Sequence, residues 1–179
     1  MVPDKLLKEH RLPQTTRAYG PSPSEMEALA FLLPLSEDYP GIDRWYFEKV
    51  LPGVRAGTRV ILRVERDNQL VGLGIAKDEG GEKKICTVRV APHFAGRGTG
   101  VRIFDGLLKW LDVDQPHLSV NESKLPLFER IFEYYKFSCT SEVEGLYVPS
   151  KVELGYNELR PHAALKHSAL IGRRFGRRP

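Results

Sequence analysis

Five residues in the middle of the chain, Gly96-Arg97-Gly98-Thr99-Gly100, carry glycine at every second position. They lie between an apolar, β-branched run, Ile85 to Val90, that stops at Ala91-Pro92, and a stretch whose apolar residues fall at helical spacing. A strand that ends in a glycine-rich turn and feeds a helix aims several backbone N–H groups at one point. The helix N-terminus adds the positive end of its dipole. That is the chemistry of phosphate binding, and bare glycines let a phosphate come close. A turn that only needs positive φ is the alternative, and one glycine suffices for that. Two nucleotide-binding loops are excluded by spacing. No lysine precedes Thr99, and the sixth position counted from Gly96 is Val101, where a dinucleotide fingerprint has glycine.

Other candidate groups are sparser. Asp78, Glu79 and Glu82 sit in a charged turn before the glycine strand, with Glu65 one strand earlier. Turn acids are usually solvated. His93, beside the glycine loop, reads as a surface residue, and the five histidines show no metal-ligand spacing with cysteines or acids. Cys86 and Cys139 lie in strand-like segments and fit buried thiols in a reducing compartment.

The elements that must position these groups form one domain, since 179 residues suffice for a core of their own. Ser22-Pro23-Ser24-Glu25 opens a helix with Met26, Leu29, Ala30 and Leu33 on one face, ended by Pro34. A second helix is expected from Ile42 to Leu51, stopped by Pro52-Gly53. Arg59–Glu65, Gln69–Lys77 and Lys84–Val90 read as a three-strand meander, and Val101–Leu111 as an amphipathic helix. A strand at His117–Val120, a helix at Ser123–Tyr135 and two strands at Phe137–Val143 and Leu146–Leu154 follow. The order predicts an α/β (α+β) domain: one mixed, mostly antiparallel sheet with helices on both faces. An N-terminal arm, 1–20, with a first strand over Gln14–Tyr19, precedes this domain at 21–157, and a basic tail, 158–179, follows it.

The net charge of +4 is uneven: six cations and one acid lie from Gly155 onward, so the folded part is near neutral. The composition, 41% hydrophobic and 28% charged, is that of a globular protein. No run of about 18 apolar residues predicts a membrane span, and MVPDKLLKEHRL lacks a signal-peptide core, so a cytoplasmic location is expected.

With the strand, the loop and the helix in place, Val90-Ala91-Pro92 followed by Ala95-Gly96-Arg97-Gly98-Thr99-Gly100 resembles the signature of the GNAT superfamily of acyl-CoA N-acyltransferases, Gln/Arg-x-x-Gly-x-Gly/Ala after a strand ending in Val-x-Pro. Gly98 and Gly100 match, Arg97 is the common basic residue, and Ala95 replaces Gln or Arg. The stretch Ile131-Phe132-Glu133-Tyr134-Tyr135-Lys136-Phe137 is similar to the family's Leu-Tyr-Glu-Lys-x-Gly-Phe, with Phe132 for the tyrosine and Lys136 for the glycine. The resemblance, over roughly residues 22–157, implies a splayed parallel strand pair that holds coenzyme A. Val88 and Val90 would face the pantetheine arm, and Ala95, Gly96, Arg97, Gly98, Thr99 and Gly100 the pyrophosphate. The Val90 N–H would be the oxyanion donor.

The family's acid is the tyrosine absent at 132. Tyr134 or Tyr135 would replace it only with a shift, because neighbouring helical residues point about 100° apart. Asn121 is either a polar group near the thioester or a cap on the next helix. The function implied is acetyl transfer from acetyl-CoA, without a metal, to an amine of a small molecule, a protein or an aminoacyl-tRNA; a homodimer stays open. A non-catalytic module that binds coenzyme A is the alternative. The tail, with four arginines and Phe175 in residues 172–179, is either a solvated terminus or an RNA-contacting arm.

Overall fold

The structure is a computed structural model and describes residues 20–158. The expected strand at 14–19 and the basic tail with its RNA contact lie outside the described residues. No helix among the described residues is long and apolar enough to cross a membrane.

Ser22 starts α1 (Pro23–Leu32) with a reciprocal cap, its hydroxyl accepting from the Glu25 N–H and its own N–H donating to the Glu25 carboxylate. The buried face is Ala28, Leu29 and Leu32; Met26, Ala30 and Leu33, expected on it, are exposed. Leu29 belongs to both stripes, and packing on Leu73 and Ile75 selects the one that includes Leu32. Next come α2 (Ile42–Trp45), a wider π turn (Tyr46–Val50) and α3 (Leu51–Arg55), in one continuous run. Pro52-Gly53 does not stop it. The Leu51 N–H bonds back five residues, to the Tyr46 carbonyl, so the helix is already widened where proline has no N–H to give. Gly53 is needed for space: a Cβ there would lie 2.5 Å from Cδ of the buried Arg59.

The strands β1 (Arg59–Arg66), β2 (Gln69–Glu79) and β3 (Glu82–Val90) form the expected antiparallel meander, and Asp67 and Asn68 both take left-handed conformations in the first hairpin turn. α4 (Thr99–Leu111) crosses to β4 (His117–Asn121), which runs parallel to β3. After a 3₁₀ turn, α5 (Leu125–Tyr134) leads to the antiparallel pair β5 (Cys139–Glu144) and β6 (Val152–Tyr156). The last strand is shorter than predicted, because Gly145 takes a positive φ and its N–H closes a loop on the Lys151 carbonyl. The sheet order is β1-β2-β3-β4-β6-β5. One core lies under α4 and α5, the other under α1 to α3.

Two features of the sheet set the site. First, β3 carries an extra residue: Ile85 pairs with Ala76 and Thr87 with Ile75, so Cys86 bulges. β3 meets β4 only through Lys84↔His117 and Ile85↔Leu118, below the bulge. Beyond it the two strands diverge. Second, glycines 72 and 74 of β2 let α4 lie close on the sheet. A Cβ at Gly72 would stand 2.8 Å from Thr99 Cγ2, and one at Gly74 would stand 2.4 Å from Ile103 Cγ2. The same contact is tight from the helix side, where a Cβ at Gly106 would stand 2.1 Å from Leu62 Cδ1. Gly74→Ala is therefore expected to destabilise the fold by about 1–3 kcal/mol, read as a lower urea midpoint. An unchanged midpoint would show that α4 can ride outward freely.

Candidate active site

The gap between β3 and β4 widens into a cleft of ≈ 530 Å³ that passes from one face of the sheet to the other. Phe104, Phe128 and Phe132 line it on the side of α4 and α5; Tyr39, Trp45 and Glu153 line it on the other. The Ala91 N–H bonds to the Val71 carbonyl on β2. Backbone groups alternate along a strand, so Arg89 also faces β2 while Val88 and Val90 turn their N–H and C=O groups into the gap. No β4 residue pairs with them.

After the loop that follows β3, Gly98 is the N-cap of α4, and no side chain caps it. The first helical N–H to bond back is that of Arg102, to the Gly98 carbonyl at 3.0 Å, which leaves the amides of the first turn without an intrahelical acceptor. Thr99 is 3% exposed and its hydroxyl has no hydrogen-bond partner among the described residues. Ala95, Gly96, Arg97 and Gly98 are exposed. The three glycines have separate reasons. Gly96 and Gly98 hold φ of 72° and 78° in open space, while a Cβ at Gly100 would meet Ile131 Cδ1 of α5 at 2.8 Å. The alternation is thus accounted for by conformation and packing. An uncapped helix start and an exposed arginine, Arg97, are the kind of groups that an anion can meet.

The other expected residues fall as follows. Phe132 lines the cleft, buried against Phe104, Phe128, Phe137 and Tyr156. Tyr134 is 70% exposed, edge-on to Tyr135 and outside the cleft lining. Tyr135 donates to Asp105 at 2.6 Å, stacked on Phe104, and burial with that carboxylate pushes its phenol up. Asn121 is buried at the end of β4, where its Oδ1 accepts from the Ser123 N–H at 3.0 Å and the Ser123 hydroxyl at 2.7 Å. That is the capping alternative. Asp78, Glu79, Glu82 and Glu65 pair with Lys83, Arg59, Lys77 and Arg63 respectively, and none lines the cleft. His93 is exposed.

The structure adds a carboxylate that sequence reasoning missed. Glu153 is 4% exposed, lies in β6 beside Asn121, and accepts from the Tyr39 hydroxyl at 3.3 Å. Tyr39 in turn packs edge-on to Tyr147, with ring centroids 5.2 Å apart. Burial pushes the Glu153 carboxyl up, against the pull of the Ser119 and Tyr39 hydroxyls and Lys84. Asp38, also buried in the cleft wall, behaves oppositely. Burial raises it, but Lys151 at 2.6 Å and Lys124 at 3.4 Å hold it below the usual range.

A carboxyl whose folded pKa lies above its unfolded value of 4.5 contributes most to stability at low pH, and that contribution is lost as pH rises through the folded pKa. Glu153→Gln keeps an acceptor for Tyr39 and removes the buried charge. It should raise Tm at pH 7.5 relative to the wild type and lose that advantage near pH 4. A difference that does not change with pH would mean that Glu153 is not held above its ordinary value.

No protein-family model matches the sequence, and no curated protein matches it. Solved structures do. An aminoglycoside 6′-N-acetyltransferase complexed with coenzyme A superposes with a TM-score of 0.59 at 14% identity, over 78% of this chain and 94% of that one. A ribosomal-protein-alanine N-acetyltransferase from Brucella melitensis gives 0.59 at 16% identity, over 74% and 92%. A GNAT-family acetyltransferase from Bacillus cereus gives 0.53 at 19% identity, over 70% and 84%. The likeness is carried by architecture at these identities, and by architecture the chain has the GNAT acetyltransferase fold.

Proposed function

We propose that this protein is an acyl-CoA-dependent N-acetyltransferase that moves the acetyl group of acetyl-CoA to an amine. The observation that carries this is the joining, in one cleft, of an unpaired strand edge and a buried carboxylate, with an uncapped helix N-terminus following that edge in the chain. The neighbour solved with coenzyme A supports it.

Acetyl-CoA supplies an acetyl group already activated as a thioester. The residues present fit such a donor. The Val88 and Val90 amides offer strand-like pairing to the pantetheine arm, and the amides from Ala95 to Gly100, with Arg97, fit its pyrophosphate. The Val90 N–H, facing the gap, can donate to an oxygen on which negative charge builds. Glu153, raised by burial, accepts the proton that the incoming ammonium must lose before nitrogen can attack. Asn121 and Ser123 hold the end of β4 in place beside it. Phe132 has no proton to give. A thiolate with pKa near ~8.5 can leave without one, at the loss of the ~10²–10⁴-fold that a general acid contributes.

Two measurements test this. Acetyl-CoA at a hundredfold its Kd should stabilise the protein by about 2.7 kcal/mol, seen as a higher Tm. Arg97→Glu, an exposed change, should leave the unliganded Tm in place and shrink that shift. The absence of any shift in the wild type sinks the proposal. Phe132→Tyr, at a residue that lines the cleft, should leave the acetyl-CoA shift nearly unchanged and raise kcat with an accepted amine. A fall in kcat would show that the register taken from Phe137 does not mark the acid position.

A further inference from the structure

The charges that line the cleft do not balance group by group. Arg59 is paired with Glu79 at 3.0 Å, Lys77 with Glu82, and Lys124 with Asp38 at 3.4 Å. Arg89 donates to the Phe31 carbonyl at 2.6 Å and lies over the Phe31 ring, 4.3 Å from its centroid. Two lining groups remain. Glu153 has hydroxyls beside it and, among the described residues, no cation within ion-pair distance. Lys84 has no carboxylate within that distance among the described residues. Both side chains lie on the face of the sheet that carries Tyr39 and Trp45, since their neighbours Ile85, Val120 and Leu154 belong to the core under α4 and α5. They are near enough for Lys84 to pull Glu153 toward its charged form, yet they do not join.

An unpaired carboxylate and an unpaired ammonium on one floor are complementary to a molecule with the opposite arrangement. Glu153 lies beside the end of β4, nearest the diverging strands, and Lys84 lies below the bulge where the strands still pair. The wall above them is apolar and aromatic, with Leu35, Pro40, Ile42 and Trp45. A polycationic acceptor would need several free carboxylates, and Asp38, the other acid in the lining, is already held by two lysines.

From this we infer that the acceptor is a small zwitterionic amine with an apolar body, its ammonium at Glu153 and its carboxylate at Lys84. The inference rests on the acetyltransferase reading and names the acceptor class for the same cleft. The Tyr39 hydroxyl, whose ring packs edge-on to Tyr147, donates to Glu153 and helps hold the carboxylate that would meet the ammonium. Removing the carboxylate from such a substrate leaves the Lys84 ammonium unanswered, so the decarboxylated amine binds less well. Charge-assisted hydrogen bonds place that difference at about tenfold or more.

The test is a set of matched pairs acetylated by the full-length protein with acetyl-CoA: L-leucine against isoamylamine, and L-phenylalanine against phenethylamine. The amino acids should show kcat/KM at least about tenfold higher, mainly through KM. Lys84→Met should bring the ratio toward one, while Lys84→Arg should keep most of it. Equal or better turnover of the amines by the wild type, or a ratio that Lys84→Met leaves unchanged, overturns the inference. No product from any of the four, in a protein whose Tm acetyl-CoA raises, overturns the acceptor class and leaves the donor site standing. No rise in Tm with acetyl-CoA overturns both.

Discussion

One extra residue in β3 governs the rest of the structure. While Ile85 pairs with Leu118, the sheet is continuous; once Cys86 bulges, β3 turns away and four further residues run without β4 beside them. A parallel pair that separates inside a sheet loses ladder hydrogen bonds, and backbone amides left bare are costly unless water or a ligand meets them. Here they line a cleft open on both faces of the sheet, so solvent reaches them in the free protein. The bulge thus leaves an unpaired strand edge inside the sheet.

Around that edge the two sides are built differently. The side under α4 and α5 is a nest of aromatic rings centred on Phe132, with Phe104, Phe128, Phe137 and Tyr156 around it. Offset and tilted ring packing makes this wall stiff. The side under α1 to α3 combines apolar residues with buried charge, and its charges are mostly neutralised in pairs. The cleft thus has an apolar, ring-packed wall on one side and a polar, partly unpaired one on the other.

The parts that could be read in the sequence are those set by local chain order. The capping box at Ser22 and Glu25, the Asp67-Asn68 turn, the meander and the Val-x-Pro-to-glycine passage each depend on residues within a few positions of one another. The parts that could not be read depend on what folds over a residue. Glu153 alternates with Val152 and Leu154, so Val-Glu-Leu looks like a strand with its acid in solvent. It is buried because β6 lies between β4 and β5 and the segment holding Tyr39 covers its other face. Tyr39 itself lies in Ser-Glu-Asp-Tyr-Pro-Gly, which reads as a surface loop. Pro52-Gly53 failed as a stop for a similar reason: the π turn and the Arg59 side chain are tertiary facts.

Asp38 ties together three places far apart in the chain: its own loop, Lys124 after β4, and Lys151, 113 residues away, before β6. The glycine loop and α4, by contrast, follow directly from β3 and rest mainly on the meander that precedes them. Contacts that close long loops cost more closure entropy than local ones. The two sides of the site therefore differ in the length of chain that must be closed to build them. The helix start needs only local chain beside the meander, and the wall around Tyr39 and Glu153 needs β6, the last strand, in the sheet.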